Sequence, residues 1–138
     1  MDDNAAKEAP KDAPKSDWVT KRSSCSYPNI FKQLRLEVEE DVKTRNALRP
    51  GNSAYEFSLA DNDDGFTVQL QAKEVRISVT FSLTEHAILV RDDQGNKKFE
   101  VTLVFNDEGA CTLSVNEERR EFWQVRRMAL EELFFRSY

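Results

Sequence analysis

The sequence predicts an α+β fold: an N-terminal helix, a six-stranded antiparallel β-sheet arranged as a meander, and a C-terminal helix packed on one face of the sheet. Three observations carry this. From Tyr55 to Val115 apolar and polar residues alternate, the period of a strand whose successive side chains face opposite ways. Before and after that stretch the apolar residues recur at helical spacing. All four prolines (Pro10, Pro14, Pro28, Pro50) precede the alternating region, and all four glycines (Gly51, Gly65, Gly95, Gly109) stand at its turns or its margin.

In chain order, residues 1–17 are rich in Ala, Lys, Asp and Glu, with two prolines and no periodic apolar residue. This composition predicts a disordered tail ahead of a single α+β domain, residues 18–138. Trp18 and Val19 are the first residues expected to dock on that domain. From Tyr27 to Leu48, the side chains Ile30, Phe31, Leu34, Val38, Val42 and Leu48 form one helical stripe. Ser26 or Asn29 can cap the start, and Pro28 costs no hydrogen bond in the first turn. The acidic run Glu37, Glu39, Glu40 and Asp41 reads as solvated helix surface, with a docking patch as the alternative.

The strands follow as Tyr55 to Leu59, Phe66 to Ala72, Val75 to Leu83, Ile88 to Val90, Phe99 to Phe105 and Cys111 to Val115. Between their apolar residues stand Thr, Ser and Gln, so one face is expected to remain solvated. Parallel sheets, covered on both faces, do not read this way. The apolar phase flips after Ala72, which calls for a tight turn at Lys73-Glu74. Asp63-Asp64-Gly65, Asp92 to Asn96 and Asp107-Glu108-Gly109 are turn signals, for which a glycine with positive φ is expected. Residues 117–122 fit either a short charged strand or the start of the last helix. From Trp123 to Phe135 the pattern is helical and apolar around most of its circumference.

The chain has 138 residues, 39% hydrophobic and 33% charged, with a net charge of −5. No run approaches the roughly 20 apolar residues of a membrane helix, and the first residues lack a signal peptide's basic start and apolar core; a cytoplasmic location and no membrane partner are expected. Basic residues pair up only locally (Lys21-Arg22, Lys97-Lys98, Arg119-Arg120, Arg126-Arg127), and the polar sheet face lacks stacking aromatics, so no nucleic-acid partner is expected. Cys111 falls on the inward phase and reads as a buried free thiol; a Cys25–Cys111 disulfide is the less favoured alternative in a reducing compartment.

Few residues suggest chemistry. His86, the lone histidine, reads as an exposed turn residue with no nucleophile or carboxylate signature around it. The acidic loop from Asp61 to Gly65 fails as a calcium loop, because Ala60 and Gln71 would stand where carboxylates are needed. Two distant cysteines and one histidine give no familiar zinc spacing. No metal, cofactor or enzymatic activity is expected. Arg126 is the local contradiction, falling inside the apolar arc of the last helix. It must pair with a carboxylate (Glu56, Glu100 or the acids of the first helix), or snorkel, or bind an anion. Trp123, Arg126, Met128 and Phe135 are therefore the candidate site residues. The leading expectation is a protein-interaction or adaptor module, with a homodimer as one form it can take. The alternative is a small carrier or sensor holding an apolar or anionic ligand between the C-terminal helix and the sheet.

Overall fold

The computed structural model describes residues 17–136; the expected tail, apart from Asp17, lies outside the described residues. The chain forms α1 (Trp18–Ser24) and α2 (Tyr27–Ala47), then β1 (Glu56–Asn62), β2 (Gly65–Gln71), β3 (Arg76–Leu83), β4 (Ile88–Arg91), β5 (Lys97–Phe105), β6 (Cys111–Val115) and β7 (Glu118–Arg120), and ends in α3 (Phe122–Phe135). The strands pair antiparallel in chain order, a meander of seven rather than six. The seventh strand is the difference from the sequence expectation. β7 pairs Val115 with Glu118 and Leu113 with Arg120, across a two-residue turn in which Asn116 and Glu117 both have positive φ, 54° and 67°. That backbone matches the twist of a hairpin, but Glu118-Arg119-Arg120 offers no apolar alternation to announce a strand.

Two other hairpins use a side chain to shape the turn. Asp92 Oδ1 accepts from the backbone N–H groups of Gln94 and Asn96, and Asn106 Oδ1 accepts from those of Glu108 and Ala110. Gly95 and Gly109 supply the positive φ that completes each turn. Gly65 departs from the expectation, because its φ is not in the left-handed region. Space is what demands glycine there: a Cβ would lie 1.8 Å from the Phe81 carbonyl oxygen on β3.

The register places one set of side chains inward. Phe66 faces Phe81 across β2 and β3 with the rings stacked 4.6 Å apart, and Val90 sits between Phe81 and Phe99. Ile30, Leu34, Val38 and Val42 of α2 and Val125, Ala129, Leu130, Leu133 and Phe134 of α3 close the same core. The C-terminal helix thus packs on one sheet face, as expected. Ser26 caps α2, its Oγ accepting from the Asn29 N–H at 3.3 Å. The Tyr27 hydroxyl accepts from Leu103 N–H at 3.1 Å, satisfying a β5 donor that the short strand β4 does not reach.

Three expectations fail at the edges of the core. Leu48 caps α2 and is exposed, because the stripe ends where the helix does. Trp18 and Val19 are exposed too; α1 buries no residue, so they do not dock. The cysteines are not free: Cys25 and Cys111 form a disulfide, with S–S 2.07 Å and Cα atoms 5.4 Å apart. Cys111, the first residue of β6, is exposed rather than buried, and it is Cys25, at the junction of α1 and α2, that is buried.

Candidate functional site

The four candidate residues all lie on α3, but they separate onto different flanks. A capping box sets the helix's start: Glu121 accepts from the Gln124 backbone, and the Gln124 side chain accepts from Glu121 N–H at 2.8 Å. With that start, the i, i+4 repeat turns Val125, Ala129 and Leu133 onto the core. It leaves Trp123 52%, Met128 38% and Phe135 67% exposed. These are large apolar side chains held outward on a rigid element.

Arg126 points the other way, toward α2. Its Nε donates to Asp41 Oδ2 at 2.6 Å and its Nη1 to Glu37 Oε1 at 2.5 Å. The guanidinium side chain is 20% exposed, and two charge-assisted bonds keep it compatible with the apolar arc around it. Of the partners weighed from the sequence, the acids of the first helix are the ones used, which also gives half of the acidic run a structural task. Glu39 pairs instead with Arg35 at 3.4 Å. Arg35 also bonds both carboxylate oxygens of Asp61, at 2.7 and 3.0 Å, and this hydrogen bonding holds the Asp61 carboxyl below its ordinary range.

Trp123, Arg126 and Phe135 line one groove of about 380 Å³, bounded by α2 and α3, with Leu48, Leu130 and Phe134 among its apolar walls. The groove lies between two helices rather than between helix and sheet. Met128 does not reach that groove; it shares a smaller one with Trp123, Arg120 and Gln124 and another with Phe135, Lys98 and Glu132. Between the grooves runs a ridge: Trp123, Arg127, Glu131 and Phe135. Arg127 Nε bonds Glu131 Oε1 at 2.6 Å, and this hydrogen bond raises the Arg127 guanidinium above its usual range.

Arg45 is the residue that sequence reasoning overlooked. Its Nε donates to the Phe134 carbonyl at 2.8 Å, satisfying one of the open carbonyls at the end of α3. Its guanidinium stands 5.2 Å from the Phe135 ring centroid, 5.1 Å from that of Phe57 and 5.6 Å from that of Tyr55, all within cation–π range. The available signal is a basic residue in the last turn of α2, which by itself names no partner on another helix. His86 is exposed beside Glu85, at 3.7 Å. Among the described residues, no group of three or more His, Cys, Asp or Glu side chains is placed to hold a metal ion, and no helix is long and apolar enough to cross a membrane. No protein-family model, curated protein or solved structure matches the chain.

Proposed function

We propose that this chain is a non-enzymatic protein-interaction module whose contact surface is the outward face of α3. One observation carries the reading: Trp123, Met128 and Phe135 stay exposed on a helix whose opposite side is fully packed. Aromatic residues, Met and Arg are the types enriched in protein–protein interfaces, and aromatic and Arg side chains supply most binding hot spots. A photo-crosslinking amino acid at Met128, compared with the same group at Gln69 on the polar sheet face, tests it. The expected outcome is protein adducts from position 128 and none from 69; the reverse pattern would sink the reading.

The groove between α2 and α3 supports a carrier as the second reading, since its volume and apolar walls suit a small apolar ligand. An anion fits less well, because Arg126 is already held by two carboxylates. The disulfide also bears on location. The cytoplasm expected from the sequence keeps most thiols reduced, so Cys25–Cys111 favours an oxidising compartment.

A further inference from the structure

We infer that the partner of the α3 face is a second copy of this chain, with the two α3 helices antiparallel about a two-fold axis at the level of Ala129. The inference rests on the protein-interaction reading and names its partner. The ridge Trp123, Arg127, Glu131, Phe135 is spaced by four residues throughout, the row by which helices pack ridge into groove. Its chemistry runs apolar, positive, negative, apolar. An antiparallel copy centred on Ala129 sets Trp123 against the copy's Phe135, and Arg127 against its Glu131. Trp123 and Phe135 each stand six residues from that centre, about 9 Å along the axis at the usual helical rise. A parallel copy would instead oppose Arg127 to Arg127 and Glu131 to Glu131. The pattern is thus self-complementary in one direction only, which an isologous contact requires.

Four further observations agree. Arg127 and Glu131 already bond each other within the helix, so two copies would close an alternating ring of four charges. Met128, 38% exposed, lies one residue from the centre and meets its own counterpart across the axis. The smaller groove beside it and the α2–α3 groove on the other flank give the copy's ridge somewhere to seat. The face is also not acidic, although the chain carries a net charge of −5: Lys98, Arg120, Arg127 and Arg136 are set there against Glu131 and Glu132.

The test is sedimentation velocity on the full, oxidised chain over roughly 1–100 µM, the range where a modest interface of this kind dissociates. Wild type should form a dimer. Arg127→Glu and Glu131→Arg should each weaken it by about tenfold or more, because each sets like charges against each other. An equimolar mixture of the two variants should dimerise again, since each then faces opposite charges, and the double variant should recover the wild-type constant. Met128→Lys, which leaves the charged pair intact, should also give monomer. All four variants change exposed side chains, and their circular dichroism melts should stay within a few degrees of wild type. A wild-type chain that is monomeric throughout overturns the inference, as does a dimer indifferent to both reversals or a double variant that is not rescued. Position-128 adducts with some other protein would leave the broader interaction reading standing in each case.

Discussion

Gly65 shows how a single side chain can be forbidden by its neighbour's backbone. It pairs with Ser82 across β2 and β3, and an added Cβ would sit 1.8 Å from the Phe81 carbonyl oxygen. Neither strand can shift without disturbing the Phe66–Phe81 stack directly beneath. Gly65→Ala should therefore cost about 1–3 kcal/mol, the range of overpacked sites, as read from urea unfolding. Gly51→Ala, with open space around it, should change stability little. From the sequence, Gly65 is expected to need glycine for a positive φ, and Gly51 only marks a boundary. The reason at Gly65 is a contact between residues sixteen apart in the chain, which no local turn rule contains. Arg126 is the opposite case. Its misfit was visible on a helical wheel, and the acids of the first helix were among the named partners, but the choice of Glu37 and Asp41 needed the helix–helix geometry.

At the scale of elements, what could be read locally was read. The stripe of α2, its Ser26 cap, the loop after Ala72 and the short strand β4 all follow from period and punctuation. Elements held by backbone or by remote partners were legible at most as one of two alternatives. β7 exists because a left-handed Asn116-Glu117 turn folds three charged residues back onto β6. The end of α3 depends on Arg45, whose acceptor is 89 residues away. The disulfide belongs here too, because it fastens the α1–α2 junction to β6 across a separation of 86 residues. By the loop-entropy argument, a crosslink closing so long a loop stabilises by roughly 4–5 kcal/mol. The paired substitution Cys25→Ser with Cys111→Ser should lower the melting temperature by roughly 10–20 °C. Adding reductant to wild type should reproduce that drop and leave the variant unmoved; a wild-type melt insensitive to reductant would count against the crosslink's contribution.

Taken whole, the molecule is a meander whose strand pairings are all local, closed on itself by contacts from its two ends. β-strand neighbours in space are neighbours in sequence, whereas Arg126 reaches 85 and 89 residues back to α2. The inward register is the property on which everything else depends. Val101 is fully buried opposite Ile88, so Val101→Asp places a carboxylate in the core without a partner. That variant should lose cooperative unfolding and the dispersed amide spectrum of the native protein. A well-dispersed spectrum from it would mean the register is different.

The crosslink has a consequence for how the chain is connected. Between Cys25 and Cys111 the backbone and the disulfide form a covalent ring that takes in all of α2 and the first five strands. A single protease cut inside that ring, at the Asp63-Asp64 turn for instance, severs the backbone but leaves one molecule, its halves still joined through sulfur. Such a nicked form keeps every strand beside its neighbour and shows two fragments only after reduction. Loss of continuity in that interval takes two events, whereas outside it, in α3 and in α1, it takes one.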